Sequence, residues 1–300
     1  IGGNAVYNKI KPKKLTLAAL LIPGVLLFVM CCIVPLGVAF YFSLFNWDGG
    51  INKTFIALQN YIELLKDKNF WQAFWNNILF VIYSVIGQIG IAFVLSMLLT
   101  SRVVRFKNFH RTVIFFPVIL SSIVVAYLWQ IIYNKDYGLL NKFLDMFGLE
   151  SWIQPWLDDP NIIIQSLAAP KIWQWIGYYM VILLGAIQSI DASVLECAEL
   201  DGANGWRRSC FIVLPMIKST VVVTIILCIS GNMKTFDQIY AMTGGGPGTS
   251  SMVVALYAYK MSFVRQRYGY GSACAIGILV LSLLLVAVSK LVGGRKRDND

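Results

Sequence analysis

Glu196-Cys197-Ala198-Glu199-Leu200-Asp201-Gly202-Ala203-Asn204-Gly205-Trp206-Arg207-Arg208-Ser209-Cys210-Phe211-Ile212-Val213-Leu214-Pro215 is a charged, polar interlude between two long apolar stretches. Ser193 precedes Glu196 by three residues, the spacing of a capping box, and Gly202 is placed to close the resulting short helix in the left-handed conformation. Such a helix presents Val194, Leu195, Cys197 and Ala198 as small or apolar contacts, and Glu196 and Asp201 offer charge-assisted bonds at its ends. Asn204 fits a second cap, after which Trp206, Cys210 and Phe211 lead into Pro215. By its caps alone the segment equally fits a connector lying on a lipid surface.

The stretches on either side belong in lipid. Hydrophobic residues make up 58% of the 300 positions and charged ones 13%, against roughly 45–50% and about 25% in soluble domains. A bilayer crossing needs about 20 predominantly apolar residues. Six segments qualify: Leu15 to Phe45, Ile78 to Thr100, Thr112 to Tyr133, Lys171 to Ile190, Leu214 to Met233 and Ser272 to Leu291. The first is longer than a straight crossing needs and holds Pro23 and Pro35, each of which removes a helix donor. It is too long for a leader's apolar region and lacks a small-x-small cleavage site, so a retained span is expected.

Basic residues orient the bundle. With the N-terminus inside, the inner segments carry Lys9, Lys11, Lys13, Lys14, Arg102, Arg105, Lys107, Arg111, Arg207, Arg208, Lys218, Lys290, Arg295, Lys296 and Arg297, fifteen of the 25 Lys and Arg residues. That excess places both termini in the cytoplasm. The expected layout is an N-terminal tail at 1–14, a six-helix transmembrane domain at 15–292 with an inner loop at 191–213, and a C-terminal tail at 293–300.

Several functions are excluded on the same grounds. The net charge of +10 is spread over membrane-flanking segments and forms no clustered patch or aromatic-basic motif, so nucleic acid is not expected as a partner. The six cysteines include no Cys-x-x-Cys pair, and the single histidine, His110, has no neighbouring ligand, so no metal site is expected. No Gly-x4-Gly-Lys-Ser/Thr loop occurs; Gly244-Gly245-Gly246-Pro247 lacks the lysine and reads as a tight turn ahead of an apolar helix from Met252 to Val264. No nucleophile-acid cluster indicates an enzyme, and spans one to three are not repeated in four to six, as many secondary transporters would require.

The spacing Glu196-x-Ala198, three residues, Gly202, nine residues, Ile212-x-Leu214-Pro215 resembles the inner "EAA" loop of bacterial ABC-importer permeases. Phe236-Asp237-Gln238-Ile239-Tyr240-Ala241-Met242-Thr243-Gly244-Gly245-Gly246-Pro247, Phe115-Phe116-Pro117, Tyr137-Gly138-Leu139-Leu140-Asn141 and Gly269-Tyr270-Gly271-Ser272-Ala273 are similar to stretches of the branch containing maltose and multiple-sugar permeases. Two departures stand out: Cys197 replaces the middle alanine, and Asp191 stands where the branch commonly has proline.

The resemblance implies an all-α membrane protein of the type I ABC-importer permease fold in a bacterial cytoplasmic membrane. It implies a permease for a sugar or oligosaccharide, with a polyol or glycerol phosphate as alternative cargo and a secondary transporter a more distant one. Implied partners are a second permease that makes a heterodimer in this branch's manner, an extracytoplasmic solute-binding protein, membrane lipid, and two ATPase subunits that hold ATP and Mg. No cofactor would bind this chain. The residues implied to couple to the ATPase are Glu196, Cys197, Ala198, Asp201, Gly202, Ile212, Leu214 and Pro215.

Polar side chains at membrane depth are costly and mark functional candidates, here Gln174, Asn232, Lys234 and Asp237. Sugars rest their C–H faces on aromatics and hydrogen-bond through hydroxyls, a pairing supplied near these residues. By distance from Glu196 and Pro215, the maltose-contacting positions of the related permease correspond to Trp173, Gln174, Trp175, Gly177, Tyr178, Gly231 and Asn232; Phe236 and Asp237 are assigned to the path or its rim. The indoles equally fit an outer aromatic belt beside Lys171, and Asn232 an interhelical hydrogen bond.

Overall fold

The computed structural model describes residues 14–101 and 104–294. Most of the two expected tails, with Lys9, Lys11, Lys13, Arg295, Lys296 and Arg297, and also Arg102, lie outside the described residues. The described residues form two compact units, 14–65 with 261–276 and 66–260 with 277–294.

In the first unit α1 (Lys14–Phe28) and α2 (Val34–Ser43) are joined by a widened turn at Val29–Ile33. Pro35 has no N–H for the Cys31 carbonyl, and just ahead of it the Val34 N–H bonds five residues back to Val29 O. The helices therefore stay collinear through a proline. Their apolar side chains are nearly all exposed, a surface suited to hydrocarbon.

A two-stranded antiparallel hairpin follows, β1 (Phe45–Trp47) with β2 (Lys53–Phe55), pairing Phe45 with Phe55. Asn60, at the start of α3 (Gln59–Lys66), donates to Ser43 O and Phe45 O at 2.8 and 2.9 Å, so one amide satisfies the last carbonyl of α2 and one at the start of β1. Glu63 pairs with Arg267 at 2.7 Å. A Cβ on Gly269 would run into Phe45 O, which explains a glycine there.

The second unit begins with α4 (Lys68–Thr100), capped by the Asp67 carboxylate through Asn69 N and Phe70 N. There follow α5 (Lys107–Phe115), α6 (Ser122–Tyr133), α7 (Leu139–Met146) and α8 (Ile163–Gln188). The inner loop supplies α9 (Ala192–Leu200), α10 (Gly205–Arg208) and α11 (Leu214–Met216). Beyond it come α12 (Lys218–Met233), α13 (Asp237–Thr243), α14 (Val254–Tyr259) and α15 (Tyr268–Gly294), whose first residues belong to the first unit.

The spans differ from their expected outlines. Thr16–Ser43, Lys68–Thr100 and Tyr268–Leu291 are each long and apolar enough to cross a bilayer. Three further stretches qualify only as bent pairs, Lys107–Ile119 with Ser122–Tyr133 at 99°, and Ile163–Gln188 with Ala192–Leu200 and Gly205–Met216 with Lys218–Met233 at 80° each. The expected continuous helix Thr112 to Tyr133 breaks at Phe116–Ser121, where Pro117 sits in a tighter turn ending in extended backbone. Likewise the expected helix from Leu214 breaks at Ile217. Expected starts at Ile78 and Lys171 move outward to Lys68 and Ile163, because Asp67 caps the first and Pro170 is tolerated inside the second.

The core of this unit lies between α4, α8 and α12, where Ile89, Ala92, Tyr179, Met180, Leu183, Ile187 and Cys228 are buried together. Ser96 donates to Met180 O at 2.9 Å, bonding α4 to α8. In lipid such helices associate through close packing and interhelical hydrogen bonds, since hydrocarbon is as apolar as leucine. Gly177 lets the α5 backbone approach α8: a Cβ there would stand 2.6 Å from Phe115 Cα.

Candidate functional site

At the inner loop, α9 starts one residue before Ser193. Its cap is Asp191, whose carboxylate accepts from Ser193 N at 3.0 Å and from the Ser193 hydroxyl at 2.9 Å. These two donors hold the Asp191 carboxyl below the usual carboxylate range. The expected Ser193–Glu196 capping box is thereby replaced: Asp191 supplies the cap in the position where the sequence departs from proline. Gly202 ends the helix as its sequence position implied, at φ +79°, with Ala203 N bonding Ala198 O at 2.9 Å and Gly202 N bonding Glu199 O at 3.2 Å.

The faces of α9 are also redistributed. Ala198 is buried at 7% exposure and Leu195 packs on the chain's own core, so these two anchor the helix inward. Val194, Glu196, Cys197 and Leu200 face outward, the last at 88% exposure. Asp201 and Pro215 are exposed, Ile212 and Leu214 half-buried, and Val213 and Ile217 between them are part of the core. Asn204 holds the capping position of α10 without a side-chain bond. A second widened turn, Ser209–Val213, precedes Pro215, with Leu214 N bonded to Ser209 O.

Deeper in the unit, Gln88, Lys171, Trp175, Tyr178, Tyr179, Leu227, Gly231 and Asn232 line a cavity of about 170 Å³. Four of the residues singled out in the sequence, Trp175, Tyr178, Gly231 and Asn232, thus meet around one space. Trp175 and Tyr178 meet edge to face at 5.7 Å, and the Lys171 ammonium sits 5.2 Å from the Trp175 ring centre. Asn232 donates to Cys228 O at 2.8 Å, one turn back on its own helix, rather than across helices. That bond aims its Oδ1 elsewhere, buried and without a partner, and Trp175 Nε1 is buried unpaired as well. Buried polar atoms left free in this way are rare and point to a visiting group or water.

The remaining sequence candidates lie off this wall. Gln174 is buried but donates to Leu120 O at 2.8 Å, tying α8 to the break before α6. Trp173 packs edge to face on Trp129 at 6.1 Å. Phe236 stacks on Tyr240 at 5.4 Å and abuts Tyr259, and Asp237 opens α13. Gly177 serves helix packing. Sequence reasoning missed Gln88 and Tyr179, which line the cavity, and Cys228 behind them, whose Sγ donates to Gln88 Oε1 at 3.1 Å and accepts from Asn232 Nδ2 at 3.2 Å. Gln88 carried a readable signal, a lone amide inside a long apolar run.

The expected turn at Gly244 to Pro247 is present, with Gly244 and Gly245 at φ +57° and +92° and Lys260 Nζ bonding Gly244 O at 2.7 Å. Among the described residues no cluster of His, Cys, Asp and Glu could hold a metal.

Known proteins share both the sequence and the fold. The chain is 36% identical to the probable ABC transporter permease protein YurN of Bacillus subtilis, over 88% of this chain and 91% of the relative. It is 29% identical to the trehalose/maltose transport system permease protein MalF of Thermococcus litoralis, over 98% and 99%. The fold matches a chain in the crystal structure of a bacterial ABC transporter involved in the import of the acidic polysaccharide alginate, with a TM-score of 0.81 at 21% identity, covering 98% of this chain and 100% of that one. Residues 88–298 match the binding-protein-dependent transport system inner membrane components. With α9, the cavity and the bent spans all falling inside that match, the chain belongs to this family, as a permease subunit of an ABC importer.

Proposed function

We propose that this permease carries a sugar or oligosaccharide through the Trp175–Asn232 cavity and is driven through α9 by separate ATPase subunits that bind ATP and Mg. The observation that carries the reading is connectivity. α9 hangs between α8 and α12, the two helices that supply most of the cavity wall, and Leu195 packs on the core shared by both. Displacing α9 therefore moves both walls together. The sugar branch follows from the relative named for trehalose and maltose, and from aromatic faces set beside unpaired hydrogen-bonding atoms.

In the assembly we envisage six spans with both termini cytoplasmic, a second permease making a heterodimer, a solute-binding protein outside and two ATPases inside. Val194, Cys197 and Leu200 form the outward stripe that would seat in an ATPase groove, with Glu196 and Asp201 at its margins. Closure of the ATPases on ATP would draw the two α9 helices together and open the cavity outward.

The test is turnover of the reconstituted complex. Gly202→Pro removes both the positive φ and the N–H given to Glu199 O, and Glu196→Lys reverses a charge on the outward face. Solute-dependent ATP hydrolysis should fall at least about tenfold in each while the subunits still assemble, the effect of a lost coupling contact worth roughly 1.4 kcal/mol. Full turnover in both would place the coupling elsewhere.

A further inference from the structure

We infer that the solute is an acidic saccharide, one that presents an anionic group to Lys171 while its hydroxyls reach the rest of the cavity. The inference rests on the cavity reading above and names the chemical class of its cargo. Among the described residues, Lys171 is the only charged side chain lining the cavity. A lysine ammonium at membrane depth is retained where a partner or a pathway needs it. Here its described contact is the face of Trp175, and among the described residues it makes no ion pair.

Besides the Tyr178 and Tyr179 hydroxyls and the Gln88 amide, which can both donate and accept, the lining residues carry two unpaired polar atoms. On the Lys171 side stand donors, the ammonium itself and the unpaired indole Nε1 of Trp175, which carries the ring under that ammonium. On the α12 side stands an acceptor, Asn232 Oδ1, its orientation set by the bond from Nδ2 to Cys228 O. Donors alone suit a carboxylate or phosphate, whose oxygens only accept, and an acceptor suits a hydroxyl proton. A neutral sugar's hydroxyl oxygens could accept from the ammonium, but only an anion would also answer its charge.

The assembled importer in lipid nanodiscs, without its binding protein, provides the test. Digalacturonate, its carboxyl-reduced neutral counterpart and glucose 6-phosphate beside glucose are titrated by ligand-observed saturation-transfer NMR. At least one acid should bind about tenfold or more tightly than its neutral counterpart, and the two pairs distinguish carboxylate from phosphate. Lys171→Gln should bring that ratio near one, and Lys171→Arg should keep it. Equal binding of acids and neutral sugars by the native importer, or a preference that survives Lys171→Gln, overturns the inference. If the neutral sugars bind and lose affinity in Asn232→Leu while charge has no influence, the cavity reading stands and this one falls. If nothing binds, both fall.

Discussion

The inner loop and the cavity are built by opposite means. α9 is specified within a dozen consecutive residues: Asp191 caps its start, Gly202 turns its end, and Leu195 and Ala198 are the apolar pair that hold it down. The cavity takes one amide from α4, a ladder of residues from α8 and three residues from α12, separated by well over half the unit's length. Local capping fixes the first, and helix packing fixes the second. A change in packing should therefore destroy the cavity and leave α9 formed, while a change in capping should do the reverse.

The largest effect is expected from Gly177→Leu. A side chain there meets the backbone of α5 at Ile114 and Phe115, which has no room to yield, whereas overpacking against soft side chains costs only about 1–3 kcal/mol. Loss of the monodisperse importer on size-exclusion chromatography is expected; normal yield would mean that α5 and α8 do not meet as closely as described. Next, Asn232→Leu removes the unpaired acceptor and the bond to Cys228 O. Uptake KM should rise about tenfold, the scale of one hydrogen bond, with basal ATP hydrolysis unchanged. An unaltered KM for every transported solute would take Asn232 off the path.

The smallest effect belongs to Asp191→Ala. Faster amide exchange should appear across residues 192–196, with turnover reduced roughly twofold as a helix frays at one end. The same exchange assay has a pH signature. The folded Asp191 pKa lies below its unfolded value, so its support for α9 is complete above the ordinary carboxylate range and disappears as pH falls through the depressed folded value. Protection in the native chain should weaken on that acid side, and in Asp191→Ala it should be flat with pH.

How much was legible in the sequence follows the same division. Membrane class, the end of α9 at Gly202 and the turn at Gly244–Pro247 are local or compositional, and they read directly. The capping box at Ser193 misled because Asp191, two residues earlier, caps the helix by accepting from Ser193 N, and the Ser193 hydroxyl is itself engaged as a donor to that carboxylate. The inward turn of Ala198 was hidden because a small residue suits either side of a short helix. Trp173 and Trp175 are two residues apart and point to different neighbours, Trp129 and Tyr178, which spacing alone could not separate. Gln88 joined the cavity, and Cys228 its support, only through the crossing of α4 and α12.

The widened turn at Ser209–Val213 has a consequence for which changes this chain can tolerate. Such a turn holds one residue more than an ordinary helical turn, and each residue advances a helix by about 100°. Losing one of these five residues would leave an ordinary turn with the helix faces on either side still in register, whereas a further insertion has no slack to absorb it. The segment should therefore accept a single deletion more readily than a single insertion: it is a spacer with one residue in hand between the loop and the gate's α12 jamb.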